Sequence, residues 1–151
     1  MTAIAGKTDV WESGLLLLLF NNTTFAKVGD ATGLVGSTTA GSLYVSGHTA
    51  DPTEEAADQT ASEIAYTSYA RVAKARSSSG WTVSGSSVTP NGAITFPAGT
   101  GGSGTMSHFG IGTDSSGAAG ELLYAGAISP TIVCGSGVTP QLTTATTVSE
   151  A

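Results

Sequence analysis

What most constrains this chain is its rhythm: short β-forming runs, interrupted roughly every 8–15 residues by Gly, Ser or Pro. Runs of that length suit strands that end in tight turns. The best defined is Ser42-Leu43-Tyr44-Val45-Ser46-Gly47-His48. Side chains alternate with a period of two, so Leu43 and Val45 take one face and Tyr44, Ser46 and His48 the other, as in a half-buried strand. Pro52 pushes Asp51 out of helical geometry. The following Thr53-Glu54-Glu55-Ala56-Ala57-Asp58-Gln59-Thr60 has no apolar period, so the strand ends in a solvated loop. Further candidate strands lie at 66–76, 81–84, 93–96, 106–112, 121–128, 131–134, 140–142 and 146–149. Together with 43–48 they predict an all-β chain, a jelly-roll-like β-sandwich rather than alternating strands and helices.

Such a chain still needs a core. With 151 residues, 40% of them hydrophobic and only 11% charged, it is long and apolar enough for one core and lies outside the disordered class. The 21 glycines, 19 serines and 23 threonines fit many strands joined by tight turns. We therefore expect one β domain over residues 9–151, preceded by a flexible arm at residues 1–8. A short strand at 23–28 and a long Gly/Thr loop up to Gly41 complete this part of the chain.

One segment breaks the rhythm. Leu15-Leu16-Leu17-Leu18-Leu19-Phe20 is far shorter than the roughly 20 apolar residues that span a bilayer, and the acids just before it do not suit an export signal. Asp9 and Glu12 match a capping box and predict a short helix over residues 10–21. Consecutive leucines cover every side of such a helix, so it is expected to be buried all round, by its own domain or by a neighbouring subunit.

The motifs that could carry chemistry have simpler readings. Gly99-Thr100-Gly101-Gly102-Ser103-Gly104 matches a dinucleotide fingerprint in letters, but the alternating Met106-Ser107-His108-Phe109-Gly110-Ile111 that follows is a strand, not the required helix. The glycines read as a turn. Asp51, Glu54, Glu55, Asp58 and Glu63 crowd one stretch without EF-hand spacing, and read as a solvated acidic loop. Cys134 is the sole cysteine, which rules out an internal disulfide and reads as a buried, inert thiol. His48 and His108 read as hydrogen-bonded sheet residues, and most of the aromatic rings are needed for packing. The overlapping sequons at Asn21-Asn22-Thr23-Thr24 read as a turn. No catalytic residue, metal ligand or cofactor is expected.

The formal charge is −6, and all five cations lie in the first half of the chain. Phosphate backbones and anionic lipids are bound by clustered Lys and Arg, so neither nucleic acid nor membrane is an expected partner.

The order of motifs carries a resemblance. Ser42-Leu43-Tyr44-Val45-Ser46 with His48-Thr49-Ala50-Asp51-Pro52, then Tyr69-Ala70-Arg71-Val72-Ala73, Ala93-Ile94-Thr95-Phe96-Pro97, His108-Phe109-Gly110-Ile111 and Leu122-Leu123-Tyr124-x-Gly126-Ala127, resembles a family of small structural proteins of tailed bacteriophages. Members are described as capsid decoration or cement proteins, and some as tail-fibre-like. The resemblance implies a non-enzymatic virion protein on the outer capsid surface. It would bind the major capsid protein at capsomer junctions, associate with itself as a dimer or trimer, and stabilise the shell. The alternative is a tail or adsorption protein that binds a host glycan or receptor. Two positions depart from the pattern: Gly47 and Lys74 stand where relatives tend to carry apolar residues. A lysine is costly to bury, so Lys74 is expected at an edge or a contact. Tyr44, His48, Asp51, Lys74 and Trp81 are the candidate contact residues.

Overall fold

The computed structural model describes residues 6–26, 28–29 and 31–150. Residues 1–5 of the expected arm lie outside them. In chain order the elements are α1 (Asp9–Asn21), β1 (Ser42–His48), β2 (Val72–Ala75), β3 (Trp81–Ser84), β4 (Ser87–Pro90), β5 (Ile94–Thr95), β6 (Ser103–Gly112), β7 (Leu122–Gly135), β8 (Gln141–Leu142) and β9 (Val148–Ser149). The chain is all-β, as its rhythm predicts, with the one short N-terminal helix expected from the leucine run. It divides into two compact units. Unit 1 comprises Met1–Gly41, Ala75–Asn91 and Thr144–Ala151, and unit 2 comprises Ser42–Lys74 and Gly92–Thr143.

Unit 1 packs α1 on a three-stranded sheet of order β3-β4-β9. The helix begins one residue earlier than expected. Thr8 is the cap: its hydroxyl accepts from Trp11 N–H at 3.4 Å and its carbonyl from Glu12 N–H at 3.0 Å. Asp9 and Glu12 do not form a capping box but sit in the first turn, where the helix dipole favours negative charge. At the other end Asn22 turns left-handed at φ 55°, and Thr23 N–H closes back onto the Leu17 carbonyl at 3.0 Å.

Complete burial of the helix is not what the fold delivers. Only Glu12, Leu16 and Phe20 are fully buried, one stripe at four-residue spacing that faces the sheet. The other leucines are half-buried, and Val10 is 74% exposed. Phe20 meets Trp81 edge to face, with ring centroids 5.0 Å apart. Leu16, Val88 and Val148 complete this core. β4 was not expected, because Gly85-Ser86-Ser87 reads as turn residues throughout. In fact Gly85, at φ 58°, and Ser86 make a two-residue turn, and Ser87 already pairs with Ser84. The expected strand at 23–28 reduces to a single bridge between Phe25 and Leu34.

Unit 2 is built on a four-stranded sheet of order β2-β1-β6-β7, with a smaller pair, β5 and β8. β1 and β6 are antiparallel, with Val45 opposite Ile111 and His48 opposite His108. β6 pairs with β7 from Ser103↔Gly135 to Gly112↔Leu122. The expected strands at 121–128 and 131–134 are one strand. A register shift between Met106 and His108 leaves the Pro130 region outside the paired positions, where a missing N–H costs no ladder bond. The expected strand at 66–76 forms only as β2, because Ser68 adopts φ 79° and Tyr69 N–H turns back to the Tyr66 carbonyl at 3.0 Å. Leu43, Val45, Ile64, Phe96, Met106, Phe109 and Ile111 form the centre of this core. Gly47 makes room for it: a Cβ there would lie 2.2 Å from Cε of Met106. An apolar side chain at that position is replaced, in effect, by a methionine from the neighbouring strand.

Candidate functional site

β1 is buried on both faces from Val45 to its end, not half-buried. The second face is closed by the segment that follows the acidic loop. Ile64 N–H donates to the Gly47 carbonyl at 2.9 Å and Thr49 N–H to the Ser62 carbonyl at 2.8 Å. That docking buries a polar chain. The Gln59 amide nitrogen donates to the Tyr44 carbonyl at 2.9 Å and to Ser46 Oγ at 2.8 Å. Ser46 Oγ lies 2.8 Å from His48 Nε2, and His48 Nδ1 lies 2.8 Å from the Ala61 carbonyl. A carbonyl only accepts, so Nδ1 carries the proton and Nε2 accepts from the serine. A serine paired with a neutral imidazole is the arrangement that activates a nucleophile. Here both side chains have 0% exposure, so the pair is closed to any substrate. Burial lowers the His48 pKa, against the Ala61 carbonyl and Glu63, which raise it.

Beside this chain lies a charged one. Arg71 forms a two-pronged pair with Glu63, Nε to Oε1 and Nη2 to Oε2, both at 2.8 Å. Its remaining donors reach the carbonyls of Asp114 at 3.1 Å and Gly117 at 2.9 Å, which fastens the β6–β7 loop. Tyr69 Oη donates to Glu63 Oε1 at 2.8 Å and accepts from Gly47 N–H at 3.0 Å. Burial pushes the Tyr69 pKa far above its ordinary value. These groups stabilise unit 2; all their capacity is turned inward.

Hollows lined by described residues face outward in each unit. In unit 2 a cleft of about 460 Å³ runs between the acidic loop, with Asp51, Thr53 and Glu54, and the start of β7, with Leu122 and Tyr124. In unit 1 an apolar groove of about 500 Å³ lies along α1, lined by Val10, Gly14, Leu17 and Phe25. The Phe25 ring seats on Gly14, where a Cβ would come within 2.6 Å, and lies 5.4 Å from the ring of Trp11. Near it in the chain, Leu34 and Val35 are 37% and 64% exposed.

The expected contact residues do not converge. His48 and Trp81 are buried, at 0% and 2% exposure, and serve the interiors of unit 2 and unit 1. Burial removes both as surface contacts: His48 spends its ring nitrogens on Ser46 Oγ and the Ala61 carbonyl, and Trp81 packs against Phe20. Tyr44 is half-buried on β1. Asp51 is exposed in the cleft, where Oδ1 accepts from Thr53 N–H at 2.9 Å. Lys74 sits on β2, an edge strand, half-buried, with Nζ 3.5 Å from the Gly92 carbonyl. Cys134 is buried. The glycine run leads straight into β6. Among the described residues no cluster of His, Cys, Asp and Glu is arranged to hold a metal ion, and no helix is long and apolar enough to cross a membrane. Gln59, Glu63, Arg71 and Tyr69 are the organising residues missed from the sequence. An arginine inside the β-forming run 69–73 was the available signal, since such a side chain needs a partner when its strand is covered.

Residues 7–148 match the family described as podophage GP4 fiber I protein gp80, and the chain belongs to that family. It is thus a structural protein of the phage virion. No curated protein matches it.

Proposed function

We propose that this chain is a non-enzymatic subunit of a virion fibre and that it associates with copies of itself through the apolar groove of unit 1. The observation that carries the fibre reading is the match of residues 7–148 to a family named for a fibre protein. The self-association reading rests on α1, whose leucines outside the buried stripe stay half-covered beside Val10 and Phe25. Apolar surface of this kind on a soluble chain calls for a partner surface. Self-association of identical chains supplies one by symmetry.

A place on the outer capsid surface, as cement bound to the major capsid protein at capsomer junctions, is the second reading. The same groove favours it, since a capsid surface covers apolar area as well as a second copy does. Adsorption to a host glycan or receptor belongs with the fibre reading. Gold-labelled antibody on purified virions separates the two. Label along projecting fibres is the expected result; label spread over the capsid faces, together with heat-sensitive particles when the protein is missing, would move the assignment to cement.

A further inference from the structure

The polar chain beneath residues 59–63 runs in one direction. Gln59 gives protons to Tyr44 O and Ser46 Oγ, Ser46 gives its proton to His48 Nε2, and His48 Nδ1 gives its proton to Ala61 O. Gln59 Oε1 has no hydrogen-bond partner among the described residues. Space for the central bond exists because position 110 is glycine: a Cβ there would lie 2.6 Å from His48 Nε2 and 2.7 Å from Ser46 Oγ. Protonated His48 donates from both nitrogens, so Ser46 loses the acceptor of its proton. Among the buried side-chain acceptors of the described residues, Gln59 Oε1 has no partner, and turning that amide over to take the serine proton gives up the bond to Tyr44.

We propose that this chain of bonds is an acid-released latch, in which protonation of His48 at Nε2 detaches residues 59–63 from β1 while the β1–β6 pairing stays intact. The segment follows the acidic loop, which has a separate tie to β7 where Leu122 N–H donates to the Ala57 carbonyl at 3.1 Å, so the latch governs the docked segment itself. Burial favours the neutral form of His48, against the Ala61 carbonyl and Glu63. From β6, His108 stands opposite it in register; from the docked segment, Glu63 bridges it, but that carboxylate is engaged by Arg71 and Tyr69. Opposite His108, β7 presents Ala127, which does not titrate. The closed segment excludes the proton and the open one accepts it. Closure is therefore full above the ordinary histidine value of about 6.5 and weakens as pH falls below it.

Backbone amide exchange by nuclear magnetic resonance tests this. Thr49 N–H and Ile64 N–H report docking, since they bond to Ser62 O and Gly47 O. Their protection factors are expected to fall as pH drops below about 6.5, by at most about tenfold per pH unit, the limiting slope of one linked proton, while amides between β1 and β6 keep theirs. His48→Gln removes that slope and His108→Gln leaves it in place. Should His48→Gln not fold, the ring shifts of His48 in the unmodified protein decide, with a midpoint below the ordinary value expected. Constant protection of Thr49 and Ile64 between pH 7 and 5 overturns the proposal. So does a slope that survives His48→Gln or vanishes in His108→Gln, or a His48 midpoint at or above the ordinary value.

Discussion

At the scale of single residues, the most consequential side chain is Arg71. Its guanidinium is nearly inaccessible and holds Glu63 together with two loop carbonyls. Removing one partner of a buried pair strands the other charge, so Arg71→Ala is expected to lower stability by about 3–5 kcal/mol in urea unfolding. The double variant Glu63→Gln, Arg71→Met strands no charge and is expected to recover part of that loss. Tyr69→Phe takes a donor from Glu63 and an acceptor from Gly47, and should cost about 1–3 kcal/mol. The sequence marks Arg71 as unusual within a β-forming run, yet nothing local names Glu63 as its partner across a turn. Gly47 and Gly110 are similar. Each looks like a weak point in a strand and turns out to hold space for Met106 and for the Ser46–His48 bond.

At the scale of elements, α1 separates what periodicity reveals from what it hides. The leucine run announces a helix, but an unbroken apolar run cannot say which stripe faces the sheet. Leu16 does, with 0% exposure, and Leu16→Ala is expected to cost about 2–5 kcal/mol. The C-terminal turn of α1 holds no cation of its own. Arg76 takes that place from outside the helix, donating to the carbonyls of Leu19 at 2.7 Å, Leu18 at 3.0 Å and Ala40 at 3.2 Å, and to Asn22 Oδ1 at 2.9 Å. Arg76→Met keeps the apolar stem and removes these bonds. A loss of about 1.5–3 kcal/mol is the expected reading, with the helical signal in circular dichroism weakening first. A helix cap supplied from such a distance in the chain leaves no pattern for a sequence reader to find.

At the scale of the whole molecule, the proposed self-association turns on the surface of unit 1. Val10 is 74% exposed, and Leu17 lines the groove rather than the core. The double variant Val10→Asp, Leu17→Asp is therefore expected to stay folded by circular dichroism while its sedimentation coefficient falls to that of a single chain. If the unaltered protein already sediments as a single chain at micromolar concentration, the groove does not join copies. Fold class, strand rhythm and the helix could all be read from the sequence, because each follows from local alternation, turn chemistry or composition. The two-faced burial of β1, the single strand β7, the pairing of Arg71 with Glu63 and the capping of α1 by Arg76 could not. Each depends on which distant segment packs against a given face, and that choice is made by the close packing and hydrogen-bond satisfaction of the folded chain rather than by any neighbour in sequence.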